Sequence, residues 1–172
     1  MKYKVQPTDK ERVMRETDFI VSKTDTRGII TYANRIFIEF SAYSEQELLG
    51  KQHNIIRHPD MPRGVFKLLW DTLAQKKEIF AYVKNMSKDG GFYWVFTNVT
   101  PSYDQQGNVI GYYSVRRKPK PEAVEICTGL YQAMLEAENK AGPKYAMDAS
   151  LELVTGILAD KGVSYEEFIL GI

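Results

Sequence analysis

The stretch from Ile79 to Lys118 reads IFAYVKNMSKDGGFYWVFTNVTPSYDQQGNVIGYYSVRRK. Within it, Ile79 to Met86, Phe92 to Tyr103 and Val109 to Lys118 are rich in aromatic and β-branched residues with a period near two. That is the pattern of strands whose successive side chains point to opposite faces. The breaks, Lys88-Asp-Gly-Gly and Asp104-Gln-Gln-Gly-Asn, carry the turn chemistry of hairpins. Hairpins join neighbouring strands antiparallel, so this stretch predicts an antiparallel meander of three strands.

Toward the N-terminus, Phe19 to Asp25 and Ile29 to Tyr32 read as two more strands around a tight turn at Thr26-Arg-Gly. Helical spacing separates the two sets of strands. Ala33, Ile36, Phe37 and Phe40 share one face, and Ser44 with Glu47 forms a capping box ahead of Leu48, Leu49 and the stop at Gly50. Val65, Phe66, Leu69, Trp70 and Leu73 mark an amphipathic helix running to about Lys77. The whole predicts an α+β domain over residues 19–118, a five-stranded antiparallel sheet with short helices on one face. A ligand can sit between the helices and the sheet.

Two flanks remain. Residues 1–18 form an N-terminal arm in which Thr8 and Glu11 have capping-box spacing, predicting a short helix from Asp9 to Glu16. So short a helix is unstable alone, so the arm is expected to dock on the domain or on a neighbouring copy. Beyond Pro119 and Pro121, residues 119–172 form a C-terminal helical segment. Ala123, Cys127, Leu130 and Met134 share one face, Met147, Leu151, Val154 and Leu158 another between Pro143 and Gly162, and Ser164 with Glu167 caps a last helix. These helices either cap the sheet or face another protein, and both readings stand.

At 172 residues and 44% hydrophobic residues, the chain can build a sizeable core. Lys and Arg total 23 against 22 Asp and Glu, without a run of like charge, so the footprint of a nucleic-acid binder is missing. A lone cysteine, Cys127, excludes an internal disulfide and a cysteine metal cluster. There is neither a secretion-signal pattern in Met-Lys-Tyr-Lys-Val-Gln-Pro nor a run of 18 apolar residues. A cytoplasmic protein is expected, without direct membrane insertion, reaching any membrane process through a partner.

The unusual chemistry is concentrated in His53-Asn-Ile-Ile-Arg-His-Pro-Asp-Met-Pro62. Pro59 and Pro62 keep this loop from relaxing into a long helix. Arg57 and His58 can present donors to a phosphate or a polar ring, and Asp60 can fix Arg57 or accept from a hydroxyl. The plainer reading is a surface connector with an Arg57–Asp60 ion pair. Trp70 suits either a ring stack or the core. Asn85 lies on a strand otherwise fit for burial, where its amide needs a partner. Asn34 can cap a helix or brace the domain.

The phrases Gly28-Ile-Ile-Thr-Tyr-Ala-Asn34, Tyr43-Ser-Glu-Gln-Glu-Leu-Leu-Gly50, Lys88-Asp-Gly-Gly-Phe-Tyr-Trp94 and Gly107-Asn-Val-Ile-Gly-Tyr-Tyr-Ser114 resemble a PAS domain. With the decapeptide, Phe66, Leu69-Trp70 and Val83-Lys-Asn85, the stretch from about Thr17 to Lys118 resembles the PAS domain of bacterial aerotaxis and energy-taxis receptors, which bind FAD non-covalently. The resemblance implies the PAS fold and flavin-pocket roles for Arg57, His58 and Asp60, with His53, Asn54, Phe66, Trp70, Asn85 and Asn34 as further cofactor-binding candidates. It implies a redox sensor rather than an enzyme, signalling by conformational change to a membrane-bound chemotaxis transducer or its cytoplasmic signalling region. A homodimer is expected. Because the chain ends soon after the sheet, it resembles the stand-alone sensors of split energy-taxis systems. Two other readings stay open: a flavoenzyme or a haem-based gas sensor, the haem held by His53 or His58, and a ligand-free PAS interaction module. Blue-light adduct chemistry needs a cysteine beside the ring, and Cys127 lies beyond the domain.

Overall fold

The predicted N-terminal hairpin and the three-strand meander both form, and they join through the first and last strands of the sheet's chain order. The structure, a computed structural model, describes residues 5–172. Strands β1 (Ile20–Thr24), β2 (Ile30–Ala33), β3 (Ile79–Met86), β4 (Phe92–Tyr103) and β5 (Val109–Arg117) make one sheet in the order β2-β1-β5-β4-β3. All neighbours are antiparallel, with Ser22 of β1 opposite Ser114 of β5 and Ser114 opposite Val99 of β4. The turns are built by aspartate. Asp25 accepts the backbone N–H groups of Arg27 and Ile29, each at 2.9 Å, and Asp104 does the same for Gln106 and Asn108.

Between the hairpins run α1 (Arg35–Ser41), α2 (Glu45–Leu48), a 3-10 turn at His53–Ile56 and α3 (Arg63–Ala74). The Ser44–Glu47 capping box forms with both reciprocal hydrogen bonds. Phe37, Leu48 and Ile56 join Ile20, Ile30 and Val95 in one buried cluster beneath these elements. Period two divides β3: Val83 and Asn85 face the helices, while Phe80 and Tyr82 face the opposite side.

The predicted N-terminal helix does not form. Of the expected arm, residues 1–4 lie outside the described residues. From Thr8 the chain is extended along the start of β4: Thr8 N–H donates to the Gly90 carbonyl at 2.8 Å, Phe92 N–H to Lys10 at 2.9 Å, and Arg12 N–H to Phe92 at 2.8 Å. These bonds, the burial of Met14 and the 2.6 Å ion pair of Arg12 with Asp89 outweigh what a helix of two turns offers after its nucleation cost. The glycines of the β3–β4 hairpin make room for the arm. A Cβ on Gly90 would lie 2.3 Å from the Gln6 carbonyl oxygen, and one on Gly91 would lie 2.9 Å from that of Lys10.

The C-terminal segment folds as α4 (Pro121–Ala141), α5 (Ala146–Lys161) and α6 (Tyr165–Gly171). Of its two open readings, the structure shows the cap. The Tyr131 hydroxyl donates to the Tyr82 carbonyl at 2.6 Å, that of Tyr165 to Phe80 at 3.0 Å, and Tyr131 stacks on Trp94. Ala123, Cys127 and Met134 are buried there. The second helix starts at Ala146 rather than Pro143, because residues 143–145 are spent in a turn. Helices therefore cover both faces of the β3 and β4 half of the sheet. Among the described residues, no helix is long and apolar enough to cross a membrane.

Candidate functional site

A cavity of about 240 Å³ lies between the inner face of the sheet and a roof made by the 3-10 turn and α3. Small-molecule sites commonly span about 300–1,000 Å³, so this space suits one ring system with its extensions outside. Its floor includes Ser22, Val83, Asn85, Thr97, Ser114 and Arg116; its roof includes His53, Asn54, Arg57, Phe66 and Trp70. The chain places the roof by backbone bonds. His53 N–H donates to the Gly28 carbonyl at 3.0 Å, Gln52 bridges to Ile29, and Arg57 bridges to Asn85 across from it.

Six of the nine sequence-derived candidates line this space: His53, Asn54, Arg57, Phe66, Trp70 and Asn85. The Arg57 guanidinium lies 4.3 Å over the Phe66 ring, and its Nη2 donates to the Met61 carbonyl at 2.9 Å. Burial draws its pKa below the ordinary value. Trp70 is not core. It is 42% exposed at the cavity's edge and meets Tyr112 edge-on at 5.5 Å. Gly28, at φ +80°, lets that ring approach, since a Cβ there would sit 3.3 Å from it. Asn85 is buried, and among the described residues its side-chain amide makes no hydrogen bond.

His53 stacks on Phe37 at 5.6 Å, and its Nε2 lies 2.9 Å from the Ser22 hydroxyl and 3.4 Å from Arg116 Nη2. Burial first, and the Arg116 charge second, push its pKa down to about 3, so the ring is neutral. That nitrogen is already engaged beside a cation, a poor starting point for an axial haem ligand.

Asn34, His58 and Asp60 stand off the lining. Asn34 Oδ1 accepts from Val21 and Phe37, each at 3.0 Å, and its Nδ2 donates to the Phe19 carbonyl, tying β1 to α1. His58 is buried against Phe92, and its Nδ1 accepts the Asp60 N–H at 3.1 Å. Burial, then the Lys84 charge, lowers its pKa. The Arg57–Asp60 pair does not form. Asp60 pairs with Lys84 at 2.6 Å, because Arg57 turns inward onto Phe66.

Arg116 is the charged lining residue that sequence reasoning missed. It is 2% exposed on β5, with its guanidinium 4.8 Å over Phe37. Its Nε donates to Ser114 at 3.1 Å and its Nη2 to Ser22, while Nη1 has no partner among the described residues. Among the described residues, no Asp or Glu lines the cavity. The two arginines make it cationic, and its hydroxyls and amides supply hydrogen bonds around an aromatic wall. Among the described residues, no cysteine lines it and no three or more potential metal ligands cluster.

Residues 30–116 match the PAS fold family. The chain is 36% identical over 127 residues to the aerotaxis receptor of Escherichia coli (strain K12), across 74% of this chain and 25% of the receptor. It is 30% identical over 105 residues to the nitrogen fixation regulatory protein of Klebsiella pneumoniae, across 61% of this chain and 21% of that protein. The chain thus spans a quarter or less of these two relatives. Among solved structures, the dark structure of the blue-light photoreceptor Aureochrome1 LOV superposes with a TM-score of 0.54 at 24% identity, covering 63% of this chain and 79% of that one. The LOV domain from the Erythrobacter litoralis EL346 blue-light activated histidine kinase gives 0.54 at 18% identity, covering 58% and 94%. At these identities the structural likeness bears on the fold.

Proposed function

Because the chain belongs to the PAS fold family, we propose that it is a sensor, not an enzyme, and that its cavity binds FAD non-covalently and reports the cofactor's redox state. The observation that carries this reading is the pairing of two unmet needs at one small cavity. Asn85, 5% exposed, turns onto the cavity an amide that makes no hydrogen bond among the described residues, and Arg116 brings a buried guanidinium whose Nη1 has no partner there and no counter-ion. Such groups are costly to bury unless something satisfies them. An isoalloxazine edge, with alternating carbonyl and nitrogen positions, satisfies both, and Trp70 and Phe66 provide aromatic wall.

In this reading Asn85, Arg116 and His53 hold the ring from the floor and the inner end. Asn54 and Arg57 serve the chain that leaves the cavity, Arg57 as the donor for phosphate. Asn34, His58 and Asp60 fix the frame on which these residues stand. Bound FAD supplies a reversible two-electron change that alters charge and hydrogen bonding at the ring edge. The protein's part is to exclude water, orient the ring and let Asn85 reorient in response. Reorientation of Asn85 displaces its bridge partner Arg57 and the α3 roof, which the C-terminal helices grip from behind.

Output passes, by this proposal, to a membrane-bound chemotaxis transducer or its cytoplasmic signalling region. The sensor is cytoplasmic and dimeric, as in split energy-taxis systems. The relationship to an aerotaxis receptor supports that direction. The test is the absorption spectrum of protein purified from cells, followed by denaturation and chromatography of any released chromophore. Released FAD whose bands bleach on reduction and return in air supports the reading. A Soret band overturns it in favour of haem. A colourless protein that does not take up FAD overturns it in favour of an interaction module.

A further inference from the structure

We propose that Arg116 makes this cavity hold an anionic ring more tightly than a neutral one, so that reduced flavin binds better than oxidised flavin. The inference rests on the flavin reading and adds which redox state the site favours.

Arg116 is 2% exposed, and no carboxylate pairs with it among the described residues. Every neighbour facing it is neutral: Ser22 on β1, Ser114 on its own strand, the Phe37 ring on α1, His53 on the 3-10 turn and Tyr93 on β4. Of these, the two titratable groups carry no charge at neutral pH. Burial holds His53 well below its usual range and Tyr93 well above. Burial also draws Arg116 down to about 10, which leaves it protonated under the same conditions.

A buried ion is normally paired, because an unpaired one loses its hydration without return. Here hydroxyls and an imidazole solvate three sides, and the positive charge itself remains uncompensated. The roof adds a second cation, Arg57, and the lining adds no acid. The field in the cavity therefore favours a ligand that brings negative charge.

Oxidised flavin is neutral at its ring. Two electrons and one proton convert it to the monoanionic reduced ring, with the proton on N5 and N1 left bare. The electrons come from an external low-potential reductant, dithionite in the assay. Hydrogen bonds from Arg116 to the ring edge serve both forms, but the attraction between its positive charge and a negative ring exists only in the reduced state, so Arg116 discriminates between the two. The expected discrimination is roughly tenfold or more.

The experiment is a redox titration of the flavin-loaded protein, with R116Q and R116K beside the wild type and the flavin content of each measured. R116Q should lose about a tenfold preference for the reduced form, which lowers the two-electron midpoint by about 30 mV, while R116K retains part of it. In the wild type, uptake of one proton per two electrons predicts a midpoint that falls by about 30 mV per pH unit. An unchanged midpoint in R116Q overturns the inference, as does uptake of two protons by the wild type. If R116Q fails to fold or load, the wild-type proton count decides alone. Wild type that takes up no flavin overturns the flavin reading itself, an outcome distinct from a loaded protein with no redox preference.

Discussion

Glu138 of α4 holds the N-terminus of α3: its Oε1 accepts the backbone N–H of Gly64 at 2.9 Å and the Ser150 hydroxyl at 2.8 Å. A carboxylate here meets unsatisfied N–H groups and the positive end of a helix dipole, and it is buried at 6% exposure. Glu138→Ala should destabilise the protein by about 2–3 kcal/mol, and Glu138→Gln by less. For a chain of this size that is a melting temperature lower by roughly 5–10 °C, measured by calorimetry. Gly64→Ala should also destabilise, because its Cβ would fall 2.1 Å from Ser150 Oγ. Full stability in both variants would mean that α4 and α5 do not clamp the cavity roof.

Asn85→Ala separates binding from folding. The amide makes no hydrogen bond within the described protein, so its removal leaves no broken partner. Stability of the flavin-free protein should change by less than about 1 kcal/mol in urea denaturation, while flavin content falls sharply. A large loss of stability without flavin would mean that Asn85 supports the β3 edge instead of a ligand.

Arg116→Met gives a converse result. Replacing a buried, unpaired guanidinium with an apolar side chain of similar length should leave the flavin-free protein as stable as the wild type, or more stable by about 1–3 kcal/mol. Thermal melts of both flavin-free proteins decide it. A strongly destabilised R116M would assign Arg116 to holding Ser22 and Ser114 together.

The sheet was legible because its signals are local. Period two marks the strands, and Asp25 and Asp104 carry their own turns. Where a partner is distant in sequence, the local signal misleads. Thr8 and Glu11 have capping-box spacing, yet their segment binds Gly90 and Phe92, some 80 residues away, and nothing within the arm announces that pairing. Arg116 was hidden in a similar way. In Val-Arg-Arg-Lys at the end of a strand, each charge reads as solvated, and only the register of β5 against Ile20 and Ser22 turns the first arginine inward. His58 and Asp60 show the reverse, since closeness in sequence to Arg57 does not put them on the cavity wall. Pro59 redirects the chain after His58, and Lys84 captures Asp60 on the outer side.

Acid should weaken the fold in a window that belongs to the histidines. The folded-state pKa of His53 lies at about 3 against 6.5 when unfolded, and that of His58 is also lowered. Between these limits the unfolded chain binds more protons than the folded one, so stability rises with pH there. The contribution is complete above about pH 6.5 and is lost as pH falls toward 3, by up to about 1.4 kcal/mol per pH unit for one fully shifted histidine. The lowered carboxylates, Asp18 and Glu47 among them, act in the same direction but only near and below their own unfolded values around 4. Urea denaturation between pH 4.5 and 6.5 therefore isolates the histidines. His53→Gln should flatten the slope over that interval while keeping a neutral partner for Ser22. An unchanged slope would place the titrating burden on His58, and a flat wild-type profile would mean that His53 takes up a proton in the folded state.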